Sequence, residues 1–295
     1  MKVVPNYCRS FRKEAHKVWF DMSEAERFGL PRNEETTTEE LLLNLARKHK
    51  GRGLDVEAYT KAEESANGAD WAFWFSSGPS QGFGLRIQAK RIYQKSGNYD
   101  KLFHQSDSQK EASKATGRLN PNQCETLLNY RDGLIPIYTF YNSDKLDLRQ
   151  AMGWPHVGRW FKTCFPHHSG DWGISAASAI AVKNATWGKN NKPGDFPMVP
   201  WNCLVCSCCW DSRSVDNSLP NLVAHGAKQL FALSQEDEGD VEADRPEMNF
   251  EPQQSSPSWV QHLREGEDSR DLLENSMEEM NLRGIVEISE VALYD

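Results

Sequence analysis

Gly68-Ala69-Asp70-Trp71-Ala72-Phe73-Trp74-Phe75 is followed, after a loop over Ser76–Gly82, by Phe83-Gly84-Leu85-Arg86-Ile87-Gln88-Ala89-Lys90. Two runs rich in aromatic and branched residues, separated by Ser77-Gly78-Pro79 and Gln81-Gly82, predict two antiparallel strands closed by a hairpin. Side chains alternate along a strand. Leu85, Ile87 and Ala89 therefore face one way, towards a core. Arg86, Gln88 and Lys90 face the other way. An apolar strand that sets an amide beside an ammonium, with an acid on the neighbouring strand, suits a hard cation and an anionic substrate.

The flanking sequence supplies helices and further strands. Apolar residues at helical spacing (Phe11, Ala15, Val18, Trp19, Met22, Ala25) predict an amphipathic helix over about 9–28. Thr37-x-x-Glu40 reads as a capping box opening a second helix that runs through Leu41 to Lys48. Residues 54–60 alternate as a strand, and 99–119 read as a polar loop. Pro121–Arg131 predicts a helix, and Leu134-Ile-Pro-Ile-Tyr-Thr-Phe-Tyr141 a strand. The small-residue run Gly173–Val182 predicts a tightly packed helix, and Asn221–Leu233 another. Residues 234–256 are acidic and rich in Pro, Gln and Ser, the composition of a disordered linker. A short helix at 259–263 and a strand from Arg283 complete the chain. The expected organisation is an α/β domain over 1–233, the linker 234–256, and a C-terminal helix and strand in 257–295 returning to the same domain. A mixed sheet flanked by helices fits this order.

The net charge of −8 is unevenly placed. Glu236–Asp295 holds 18 acidic and 4 basic residues, a charge of −14, whereas the preceding 235 residues hold 24 and 30, a charge of +6. A polyanion partner for the body is thus permitted. No apolar run reaches membrane-span length. Residues 1–12 lack the apolar stretch of a signal peptide. Seven cysteines, four of them in Cys203-Leu-Val-Cys206-Ser-Cys208-Cys209, do not form a secreted disulfide framework. An intracellular protein, cytoplasmic or nuclear, is expected.

Hydrolysis of a phosphodiester needs a cation on oxygen ligands, an activated water, and positive charge at the phosphorus centre. Asp70 supplies a carboxylate. Gln88 supplies its amide oxygen, and Ala89 its backbone carbonyl. Lys90 supplies the charge. Glu64 is the first candidate for a second acid, with Glu35 and Glu40 next.

These residues resemble the PD-(D/E)xK restriction-endonuclease-like superfamily, in the QxK form of its Mrr-like subtype. The fuller pattern Gly68-Ala-Asp-Trp71, Gln88-Ala-Lys-Arg91 and Pro136-x-Tyr138-x-Phe140-Tyr141-Asn142 is similar to an uncharacterised domain-of-unknown-function family in that group. The resemblance implies a helix and a mixed sheet with the site at the sheet's edge. It implies a nuclease acting on DNA, or less favourably RNA, with Mg²⁺ or Mn²⁺. Carried over, Asp70, Gln88 and Glu64 are metal ligands and Lys90 is the catalytic lysine, with Gln123 in support. Gln88 stands where an acid is usual, which removes charge from the metal site. A catalytically inactive module on the same fold, binding nucleic acid or a protein, is the alternative.

Arg86, Arg91 and Trp74 are candidates for nucleic-acid contact, with Trp74 on the Asp70 face of its strand. Cys203, Cys206, Cys208 and Cys209, with Cys164, His167 and His168, are candidates for a zinc site. Trp201, Leu204, Val205 and Trp210 instead give that segment the look of a buried strand holding structural thiols.

Overall fold

The computed structural model describes residues 7–30, 32–49, 52–58, 71–79, 81–93, 95–99, 102, 122–129, 132–152, 168–185, 192–207, 209, 217–234, 248–280 and 282–290. It is an α/β fold around one mixed eight-stranded sheet. The chain runs α1 (Tyr7–Arg27), α2 (Glu34–His49), β1 (Leu54–Ala58), β2 (Trp71–Ser77), β3 (Gln81–Tyr93) and β4 (Asn98–Tyr99). It continues with α3 (Gln123–Asn129), β5 (Ile135–Tyr141), α4 (Leu148–Met152), β6 (Ile174–Ser178), α5 (Ala179–Ala185) and β7 (Val199–Pro200). It ends with α6 (Leu219–Ala232), α7 (Ser258–Glu265), α8 (Arg270–Met280) and β8 (Gly284–Glu290).

The sheet order is β1-β8-β2-β3-β5-β6-β7, with β4 pairing β3. β2 and β3 form the expected antiparallel hairpin, with Trp71 opposite Ile87 and Phe75 opposite Phe83. β3 runs parallel to β5, and β2 parallel to β8. The last strand thus enters the sheet between β1 and β2. Pro136 is tolerated in β5 because the ladder to β6 starts one residue later, at Ile137.

Both faces of the sheet are covered. Trp71, Phe73, Phe75, Leu85 and Ile87 lie on the face packed by α1, α6 and the 3₁₀ turn Trp201–Val205, where Trp201 stacks on Phe11 at 4.6 Å. Trp74, Gln88, Lys90, Tyr138 and Phe140 lie on the opposite face. Trp74 meets Trp259 of α7 edge-on there, with ring centroids 6.0 Å apart. Bulk is fitted to glycine: a Cβ on Gly82 would collide with Trp74, one on Gly84 with Leu134, and one on Gly284 with Trp71. The carboxylate of Glu290 closes β8 onto α6. It accepts the Leu219 N–H at 2.5 Å and the Ser77 hydroxyl at 2.7 Å, an anion at a helix N-terminus.

Four local expectations differ from the structure. α2 starts at Glu34, ahead of the expected cap at Thr37. Glu34 and Glu35 suit its first turn, and Thr37 bonds back to the Asn33 carbonyl rather than capping. Residues 174–178 are strand, and only the following 179–185 are helix. The small-residue signal there marks close packing rather than helix, since a Cβ on Gly173 would strike the Ala15 carbonyl of α1. Residues 201–205 are buried as expected but wind into a 3₁₀ turn. Of the expected linker, 235–247 lie outside the described residues. Residues 248–256 run beside the hairpin, where Gln253 and Gly82 exchange backbone hydrogen bonds. α8 was not foreseen; Leu273 and Met277, one turn apart, bury its inner side.

Candidate active site

Pleating puts Arg86, Gln88 and Lys90 in a row on one face of β3. This row is not a solvated face. Its members are 1%, 3% and 7% exposed. The parallel register with β5 zips two of the quoted motifs together. Arg86 lies beside Pro136, Gln88 beside Tyr138, Lys90 beside Phe140, and Arg91 beside Tyr141. Tyr138 and Phe140 stack at 5.8 Å and form an aromatic wall along the polar row. Asn142, which ends the motif, is structural. It donates to the Trp172 carbonyl at 2.7 Å and accepts from the Tyr99 hydroxyl at 2.6 Å.

Lys90 donates from Nζ to Oε1 of Gln123 at 2.9 Å. Gln123 is the first residue of α3, and its position is fixed by a capping box. The Asn122 side chain accepts the Glu125 N–H at 3.0 Å, while the Glu125 carboxylate accepts the Asn122 N–H at 2.9 Å. Neighbouring Cys124 is turned inward, its thiol pushed up to about 12 by burial, so it offers no thiolate nucleophile here. Gln88 donates from Nε2 to the Ala89 carbonyl at 3.2 Å.

Asp70 and Glu64 lie outside the described residues. Asp70 is the covalent neighbour of Trp71, which pairs with Ile87, the neighbour of Gln88. Glu35 and Glu40 are engaged elsewhere. Glu35 pairs with Arg283 at 3.3 Å, and Glu40 with Lys17 and Arg32. The site strand β3 lies inside the sheet, not at its edge, because β5 and β6 extend the sheet beyond it. Among the described residues, no group of three or more His, Cys, Asp or Glu side chains stands ready to hold a metal ion.

The residues expected to touch nucleic acid are placed otherwise. Trp74 is fully buried beneath Trp259, so its ring has no face for a base. Arg86 is locked by Asp132 at 2.5 Å and by the Met280 carbonyl at 2.6 Å. Arg91 projects from the face opposite Lys90. It donates to the Arg32 carbonyl at 2.7 Å and lies 4.5 Å over the Tyr93 ring. Of the zinc candidates, Cys164, His167 and Cys208 lie outside the described residues.

A model of the Family of unknown function (DUF6615) matches residues 7–292, nearly the whole chain. The chain belongs to that family. No curated protein and no solved structure matches it. The family span takes in every element from α1 to β8, so the polar row of β3 and the strand that closes the sheet fall within one family unit. Among the described residues, no helix is long and apolar enough to cross a membrane.

A second polar cluster went unremarked in the sequence. Asp171, 1% exposed, accepts from Arg12 Nε at 2.6 Å and Nη2 at 2.9 Å, and contacts His16 Nε2 at 2.6 Å. Burial pushes its carboxyl up, but the hydrogen bonds from Arg12 and His16 outweigh burial and hold it below its ordinary value. Arg12 and His16 are one turn apart on α1, a spacing readable in the sequence. Their acid lies far along the chain and was not.

Proposed function

We propose that the chain is a metal-dependent phosphodiesterase of the restriction-endonuclease-like kind, cutting DNA in preference to RNA. The observation that carries this reading is the pair Gln88 and Lys90, side by side on one buried face of β3, with Lys90 steered by Gln123 from a capped helix. Asp70, Gln88 and Glu64 are the residues that would hold Mg²⁺ or Mn²⁺. The ion would supply electrophilic charge and a more acidic water. Lys90 brings an ammonium into a low-dielectric site, where a charge aimed at developing phosphate oxygens acts strongly. Gln123 orients that ammonium without cancelling its charge. Tyr138 and Phe140 exclude water from the same face.

The test is cleavage of single- and double-stranded DNA and of RNA by the full chain with Mg²⁺ or Mn²⁺. Cleavage that needs the ion and is lost in Asp70→Ala and Lys90→Met supports the reading. Absence of cleavage with either ion overturns it. The deep burial of Gln88 and Lys90 favours a second reading, a non-catalytic module that binds nucleic acid or a protein. Binding retained without ion-dependent cleavage selects that one.

A further inference from the structure

On the sheet face opposite Lys90, the sulfurs of Cys8, Cys203, Cys206 and Cys209 come together. Cys8 lies in the first turn of α1. Cys203 belongs to the 3₁₀ turn Trp201–Val205, Cys206 ends it, and Cys209 follows three residues on. The Cys206 N–H donates to the Cys203 carbonyl and the Cys209 N–H to the Cys206 carbonyl, both at 3.4 Å. Each bond closes one turn of chain, so the three cysteines recur at turn spacing. The Cys8 thiol hydrogen-bonds with Cys206, and the Cys209 thiol with Cys203 and Cys206. Cys203, Cys206 and Cys209 are buried, and Cys8 is half-buried.

The geometry points to a zinc site: Cys8, Cys203, Cys206 and Cys209 bind one Zn²⁺ as a closed tetrathiolate centre that pins the start of α1 to the 201–209 segment. Zinc–sulfur bonds of about 2.3 Å place the sulfurs of a tetrahedron roughly 3.8 Å apart, the scale of a thiol–thiol hydrogen bond. An iron–sulfur cluster spreads its thiolates over separate irons, whereas these thiols lie within hydrogen-bonding reach of one another. Among the described residues no three ligating side chains already stand in coordination geometry. Binding therefore draws the thiols inward and releases their protons.

The surroundings suit the negative charge of such a centre. Asn202 directs Nδ2 at Cys8 Sγ, 3.9 Å away, and at Cys203 Sγ, 4.0 Å away. Arg12, one turn along α1 from Cys8, lies within electrostatic reach of Cys8 and Cys203. Such partners around the ligands tune metal affinity. The site owes nothing to the nuclease reading.

The experiment is metal analysis of the full chain purified without chelator, followed by exchange for Co²⁺. About one zinc per chain is expected, with intense sulfur-to-cobalt charge-transfer bands of a four-thiolate tetrahedron. Cys8→Ser weakens Co²⁺ binding and reduces those bands, Asn202→Ala weakens binding about tenfold to a hundredfold, and Cys124→Ser, buried elsewhere, changes neither. Should Cys8→Ser fail to fold, the band intensity of the unmodified chain still counts the thiolates. A chain that holds no zinc and gives no cobalt spectrum overturns the proposal. Iron with cluster absorbance overturns it too, as does a folded Cys8→Ser chain with undiminished affinity.

Discussion

Arg86 and Lys90 stand on the same face of β3, two pleats apart, and the fold holds the two cations by different means. Arg86 meets the Asp132 carboxylate and the Met280 carbonyl. Lys90 meets the neutral amide of Gln123. A carboxylate contact fixes position and neutralises charge together. An amide contact fixes position and does not itself neutralise charge. The Arg86 end of the row joins α8 and the turn before β5 to the sheet. The Lys90 end lies against α3 and beside Phe140 of β5. One strand face thus carries a structural cation and a candidate catalytic one.

The largest effect tests the structural end. Asp132→Ala leaves the guanidinium of Arg86 buried without its carboxylate, which costs about 3–5 kcal/mol. Urea unfolding should show it as a lower midpoint with an unchanged slope. A loss under about 1 kcal/mol would mean that solvent reaches Arg86 and that the two ends are alike.

At the other end the balance between stability and activity reverses. Lys90→Met keeps the length of the side chain and removes the charge. Cleavage should fall about 10²- to 10³-fold, while unfolding shifts by about 1–2 kcal/mol, the scale of lost hydrogen bonds rather than of a stranded charge. Gln123→Ala should lower cleavage less, about tenfold, because the ammonium stays but is no longer aimed. If Lys90→Met destabilises as strongly as Asp132→Ala, Lys90 is structural too and the contrast collapses.

Much of this face was legible in the sequence. The alternation of Leu85 to Lys90, the hairpin, the helix bearing Gln123 and the returning strand all show in residue pattern. Its burial was not, because three polar side chains in a row read as a solvated edge unless the covering elements are known. From beyond the acidic stretch, α7 covers Trp74 and the end of α8 holds Arg86. Pairing was hidden as well: Gln88-Ala-Lys-Arg91 and Pro136-x-Tyr138-x-Phe140-Tyr141 are separate motifs until the parallel register sets them side by side. At 174–178, alanine and serine misled because they report close approach, which a strand under α1 needs as much as a helix does. The cysteine segment showed three of the four clustered thiols, while Cys8 is remote in the chain and adjacent only after folding.

The smallest effect extends the comparison to a pair of reversed polarity. In Arg12–Asp171 the buried partner is the acid, at 1% side-chain exposure, and the cation is 40% exposed. The Asp171 carboxyl is held below its ordinary value of 3.8. A lowered folded value means that the contact stabilises fully above 3.8 and is lost as pH falls through the lowered value. Arg12→Met should therefore cost stability at about pH 5, and the difference from the unmodified chain should shrink on acidification below 3.8. Because Arg12 is partly solvated, the cost at about pH 5 should be about 1 kcal/mol. It is far below that of Asp132→Ala, where the stranded charge is the buried one. Urea midpoints of both variants at the two pH values separate the cases. Loss of a solvated cation leaves an acid that can take up a proton, whereas loss of Asp132 leaves a guanidinium that cannot give one up.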